Sequence, residues 1–203
     1  MDAASTSFVL GYHGCDRALS ERVLAGKASL KQSHNDYDWL GDGVYFWEHN
    51  ARRAFEFARE IARRPRHSGQ KIKNPAVIGA IIDLRYCLNL LDSRFIVMVR
   101  EAYEQLVESA AGGRMTLPRN TGGGDKLKRN LDCAVIRTLH QTHEDEGKPP
   151  FDTVRAAFIE GARLYPDAGF LAKNHIQICV RNAACILGYF RALDETGTPI
   201  SFS

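Results

Sequence analysis

The apolar pattern of the chain begins at SFVLGYHG, residues 7–14, a short run of strand formers that predicts a strand ending near His13. Asp16 stands where an N-cap would, Leu19, Val23 and Leu24 share one helical face, and Gly26 is placed to end a short helix. Residues 27–43, KASLKQSHNDYDWLGDG, are polar and turn-rich and predict a loop, and GVYFWE predicts a brief strand. Behind Asn50 as a cap, Ala51, Ala54, Phe55, Ala58, Ile61 and Ala62 recur at helical spacing. Arg52, Arg53, Glu56, Arg59 and Glu60 take the other face of that helix, Pro65 stops it, and RRPRHSGQKIKN follows as a basic connector.

AVIGAIIDL is continuously apolar and β-branched, the pattern of a strand buried on both faces. A helix is predicted from Asp92 or Ser93, carrying Phe95, Met98, Val99, Ala102 and Leu106, and ending at Gly112 and Gly113. GGRMTLPRNTGGGDK reads as an open glycine-rich loop, and a helix from about Lys126 to His140 follows, with Leu127, Leu131, Ala134, Val135 and Leu139 inward. TVRAAFIE and HIQICVRN read as strands separated by a loop, and CILGYFRAL as the last strand. Strands at the start, middle and end, with no sustained βαβ alternation, predict an α+β fold in a single domain spanning 1–203.

Composition narrows this little. The 203 residues are 44% hydrophobic and 25% charged, ordinary for one globular domain, and the net charge of +3 neither demands nor excludes a nucleic-acid partner. The apolar runs fall short of a membrane span and the start has no signal-peptide pattern, so a cytoplasmic protein with no membrane partner is expected. The cysteines, Cys15, Cys87, Cys133, Cys179 and Cys185, are odd in number and make no C-x-x-C pair, which argues against zinc or a disulfide framework; no metal is expected. Cys15, two residues from His13, shares its strand face, but a catalytic Cys/His pair is rarely so local in sequence.

Three segments carry the candidate chemistry: YHGC ending the first strand, GDGVYFWEHNARRAFEFA, and HIQICVRNAACILGYF. Together and in this order they resemble the ADP-ribosyltransferase superfamily, on its diphtheria-toxin and poly(ADP-ribose) polymerase side. That side is marked by a histidine, a tyrosine and a glutamate on three strands. YHGC and the following LAGKASL look like the histidine motif, GDGVYFWEHNARRA like the tyrosine motif, and QICVRNAACI like the last strand. His13 then takes the histidine place, Tyr45 the tyrosine place and Gln177 the glutamate place. The implied fold is a split antiparallel or mixed β core flanked by helices.

The resemblance implies NAD as substrate, with nicotinamide released and one ADP-ribose passed to a macromolecule, either protein or nucleic acid. Gly14 would hold the carboxamide through its backbone, with the missing side chain letting the ring approach. Tyr45 would stack on nicotinamide, His13 would bond a ribose hydroxyl, and Tyr37 or Trp39 would cover the ligand, with Gly43 in the turn beside it. Arg53 is expected to meet the dinucleotide's phosphates.

Gln177 departs from the pattern, since an amide cannot supply the anion that steadies a growing oxocarbenium ion. Either it supports slow single transfers, or Glu160, otherwise a solvated strand end, substitutes, or the domain binds NAD or ADP-ribose with little turnover. His175 stands two residues before Gln177 and is a candidate general base toward the acceptor. A lone catalytic domain of this kind suggests a bacterial toxin, defence or modification enzyme, with an antitoxin or inhibitor as a partner. A nucleic-acid-binding protein that works through its basic segment is the remaining alternative.

Overall fold

The computed structural model describes residues 8–63, 72–113, 116–194 and 196–200. In these the fold is α+β: a mixed seven-stranded sheet with four α-helices. The strands are β1 (Phe8–Asp16), β2 (Val44–Glu48), β3 (Pro75–Asp83), β4 (Cys87–Asn89), β7 (Thr153–Phe158), β8 (His175–Val180) and β9 (Ile186–Arg191). They lie in the order β4-β7-β8-β2-β1-β3-β9, antiparallel throughout except for the β4/β7 edge pair. β5 (Asn120–Thr121) and β6 (Lys128–Arg129) form a minimal hairpin apart from it.

The caps read from the sequence hold the helices. The Asp16 carboxylate accepts from Ala18 N–H ahead of α1 (Arg17–Leu24), Asn50 accepts from Arg53 N–H ahead of α2 (Ala51–Arg63), and Asp92 accepts from Arg94 N–H ahead of α3 (Ser93–Ala111). α4 (Asn130–Asp145) begins four residues later and ends five residues later than the periodicity predicts. The hairpin explains the late start: Asn120 Oδ1 accepts from the N–H groups of Leu131 and Asp132, so a loop side chain caps α4. Pro65 and most of the basic connector lie outside the described residues.

Strand alternation sorts the core into two faces. Cys15, Phe46, Ile78, Ile178 and Val180 share one face and pack with Val23 of α1. The other face carries two separate clusters. One, with Leu88, Val154 and Cys179, lies under α3 and α4; the other, with Trp47 and Val77, lies under α2. By alternation with Ile178 and Val180, His175 and Gln177 of β8 belong to this second face. β3 departs from its expected burial on both faces, because Ile81 is 40% exposed.

All five cysteines are buried and unpaired, and burial pushes the Cys15 thiol up to about 12, so it is no thiolate nucleophile at neutral pH.

His140 in α4 is buried beside Phe151 with neither ring nitrogen hydrogen-bonded to protein. Burial first, then the nearby Arg181 and His143, hold its pKa down at about 3, against a weaker opposing pull from Asp42. The folded protein therefore keeps His140 neutral while the unfolded chain takes up a proton below pH 6.5. Stability contributed by the neutral ring is complete above 6.5 and is lost as pH falls toward 3, by up to about 1.4 kcal/mol per unit. Melting curves from pH 7 to 4 should fall less steeply for His140→Met than for the native chain; parallel slopes would contradict this.

Candidate functional site

The site is built around an incomplete seam. β1 pairs with β3 along its full length, from Phe8↔Asp83 to Asp16↔Pro75. With β2 its registered pairs are Gly11↔Glu48 and Tyr12↔Trp47, extended by the His49 N–H to Leu10 C=O bond of 2.9 Å. The ladder's alternation fixes the direction of each peptide. Arg17 N–H donates to Asn74 C=O in the β3 register, so the odd residues of β1 bond to β3 and the even ones face β2. Gly14 thus turns its N–H and C=O toward β2 at a level where the registered β1–β2 pairing has ended.

His13 reaches into this opening. Its Nδ1 lies 2.8 Å from Tyr45 C=O, and since a carbonyl can only accept, Nδ1 carries the hydrogen and Nε2 keeps a lone pair. Burial lowers the imidazole pKa, against the opposing effect of the Tyr45 bond, so His13 is neutral.

Tyr45 is fixed at its far end. Its hydroxyl donates to Gly41 C=O (2.7 Å) and accepts from Leu40 N–H (3.1 Å), tying β2 to the turn before it. Gly41 holds φ of 79°, a conformation suited to glycine. Burial raises the phenol pKa well above its ordinary value. Two glycines do other work than the resemblance implies. A Cβ on Gly14 would stand 2.1 Å from the Ala54 carbonyl oxygen, so its missing side chain admits α2 rather than a ring. Gly43 exchanges both backbone bonds with Ser33, at 2.8 and 3.1 Å, which leaves it no free backbone group for a ligand.

On β8, Gln177 stands opposite Trp47, and its Oε1 accepts from the Trp39 indole N–H at 2.7 Å. Trp39 packs edge-on against Phe158, with the Arg129 guanidinium over both rings. Of the two proposed covers, Trp39 therefore contacts Gln177, while Tyr37 sits half-buried in the turn closed by Asp38 N–H and Asn35 C=O. His175 lies between Trp47 and Phe158. Its Nδ1 is 2.6 Å from Lys173 C=O, which leaves Nε2 as a buried lone pair with no protein partner. Burial lowers its pKa and keeps it neutral. Trp47 Nε1 and Arg53 Nε are likewise buried without a partner.

Arg53 and Glu160 are corrected most. The helical pattern assigns Arg53 to the solvent face, and Glu160 is read as a solvated strand end or a spare carboxylate. Both are buried: Arg53 Nη2 lies 3.1 Å from each Glu160 oxygen, and Lys173 Nζ is 3.9 Å away. α2 is sunk deeply enough that three consecutive residues, Arg53, Ala54 and Phe55, are inside, so a one-stripe reading of its pattern misplaces Arg53.

The bonds join His13 to Tyr45 and Gln177 to Trp39, with β2 standing between β1 and β8. Arg129 escapes sequence reasoning, because the periodicity places it inside a helix from about Lys126, whereas it stands in β6 just ahead of α4. Among the described residues no group of three or more His, Cys, Asp or Glu side chains could hold a metal ion, and no helix is long and apolar enough to cross a membrane.

The α+β architecture, a mixed seven-stranded sheet with four helices, defines the class of the molecule in structural terms. By sequence the chain is similar to an uncharacterized protein of Methanocaldococcus jannaschii, 27% identical over 192 residues that span 86% of this chain and 83% of the other. No protein-family model and no solved structure matches it.

Proposed function

We propose that the protein is an NAD-dependent mono-ADP-ribosyltransferase of the diphtheria-toxin and poly(ADP-ribose) polymerase kind. The observation that carries this reading is the open β1–β2 seam, with the Gly14 peptide facing it and the neutral His13 imidazole inside it. A carboxamide offers one donor and one acceptor, which matches the Gly14 C=O and N–H. His13 Nε2 would accept from a ribose hydroxyl and orient the sugar. When the bond between nicotinamide and ribose breaks, the electron pair leaves with the nicotinamide nitrogen and positive charge grows on the ribose. An acceptor on a protein or nucleic acid then bonds to the ribose carbon and loses its proton.

The catalytic group at the Gln177 place is weak. Its Oε1 already accepts from Trp39, it carries no charge, and the Glu160 carboxylate is engaged by Arg53. Charge-assisted hydrogen bonds contribute about 1.5–3 kcal/mol against about 1 for neutral ones, a difference of roughly tenfold in rate. Turnover is therefore slow and chain elongation is not expected. The same two contacts favour a second reading, a module that binds NAD or ADP-ribose with little catalysis.

Incubating the full chain with nicotinamide-labelled NAD and cell extract separates the two. The enzyme reading expects slow nicotinamide release that falls about tenfold in His13→Ala and rises about tenfold in Gln177→Glu. Calorimetric NAD binding with no release in either the native chain or Gln177→Glu selects the binding module. A chain that does not bind NAD at all is neither.

A further inference from the structure

α3 is longer than its burial accounts for. Of its nineteen residues only Ala102 and Leu106 are fully inside, while Ile96 and Tyr103 are 45% and 42% exposed. These two side chains border a cavity of about 430 Å³ between α3 and α4, whose walls include Trp39, Val99, Val135 and Ile136. A hollow of this size with apolar walls and a few polar groups is the usual form of a small-molecule site. Its charged groups are Arg100, Arg129 and Asp132. Asp132 pairs with Arg129 at 3.5 Å and accepts from Asn120 Nδ2 at 2.7 Å, so Arg100 supplies the uncompensated charge at the rim. The wall shared with the candidate site is Trp39, whose indole N–H holds Gln177.

We propose that this cavity binds a small amphiphilic anion, an aromatic or branched hydrocarbon bearing one carboxylate. Its hydrocarbon body lies against Trp39 and Val99, and its carboxylate sits on the Arg100 side. Occupancy bears on Trp39 and so on the position of Gln177. The proposal stands on the cavity and its charges, and does not require that the seam bind NAD.

Titration calorimetry on the full chain, with no dinucleotide present, tests it using 4-phenylbutyrate and its neutral counterpart 4-phenylbutan-1-ol. The carboxylate should bind at a single saturable site, about fivefold tighter than the alcohol. Arg100→Glu should erase that preference and leave alcohol binding unchanged, since Arg100 is exposed and its replacement does not disturb the fold. Val99→Phe, which extends a ring into the cavity, should weaken both at least tenfold with an unaltered melting curve. The chain has two tryptophans, so in Trp47→Phe the emission of Trp39 alone should shift along the same saturation curve. Absence of saturable heat, equal affinity for acid and alcohol, or binding undiminished by Val99→Phe would each overturn the proposal.

Discussion

Arg53→Met is expected to lower the free energy of unfolding by about 3–5 kcal/mol, because it strands the Glu160 carboxylate inside the protein. The Arg53 and Glu160 side chains are 6% and 8% exposed, so water cannot replace the lost guanidinium, and Lys173 at 3.9 Å is only a partial substitute. The double variant Arg53→Met/Glu160→Leu should recover most of the loss, since a buried ion pair exchanged for apolar groups of similar volume is close to neutral. Urea unfolding of the two single variants and the double one measures the coupling directly. A cost below about 1 kcal/mol for the first substitution would mean that the pair is not sealed from solvent.

Gly14→Ala should be nearly as damaging for a different reason. The added methyl would meet the Ala54 carbonyl oxygen at 2.1 Å and the Ala58 methyl at 3.2 Å. The first is backbone in the middle of a helix turn and cannot rotate away, so α2 must lift off the sheet. Overpacking a core by one methyl group costs about 1–3 kcal/mol, and a backbone obstacle belongs at or above the top of that range. For a domain of this size that is a fall of roughly 6–12 °C in melting temperature. Gly188→Ala, where an added Cβ meets nothing within 4 Å, is the control and should change little. Similar melting of both variants would show that α2 does not press on β1 as described.

How much of this was legible in the sequence follows from the range of the forces involved. Local signals were readable: Asp16, Asn50 and Asp92 as caps, HIQICVRN as a strand, and the Gly112–Gly113 end of α3 all act through neighbours in the chain. β4 was not legible, since three residues gain strand geometry only by pairing with Thr153–Arg155 some sixty residues later. Arg53 was misplaced because a periodic pattern reports composition on a face and not how deep the helix sits. Gly14 was singled out for its backbone, while the partner of its absent side chain, a turn of α2, could not be read from spacing. Among the candidate residues, the link from Trp39 to Gln177 joins positions 138 apart and was anticipated only as a covering loop.

The incomplete seam divides the sheet unequally. Four strands on one side, β4-β7-β8-β2, and three on the other, β1-β3-β9, are joined at the seam by rungs near Leu10 and Tyr12 and by the His13 imidazole, and beneath it by the core that Phe46 and Ile178 share with Cys15 and Ile78. A guest held by both edges, as proposed for the seam, would act as a clasp, adding a cross-link between the two halves for as long as it stays.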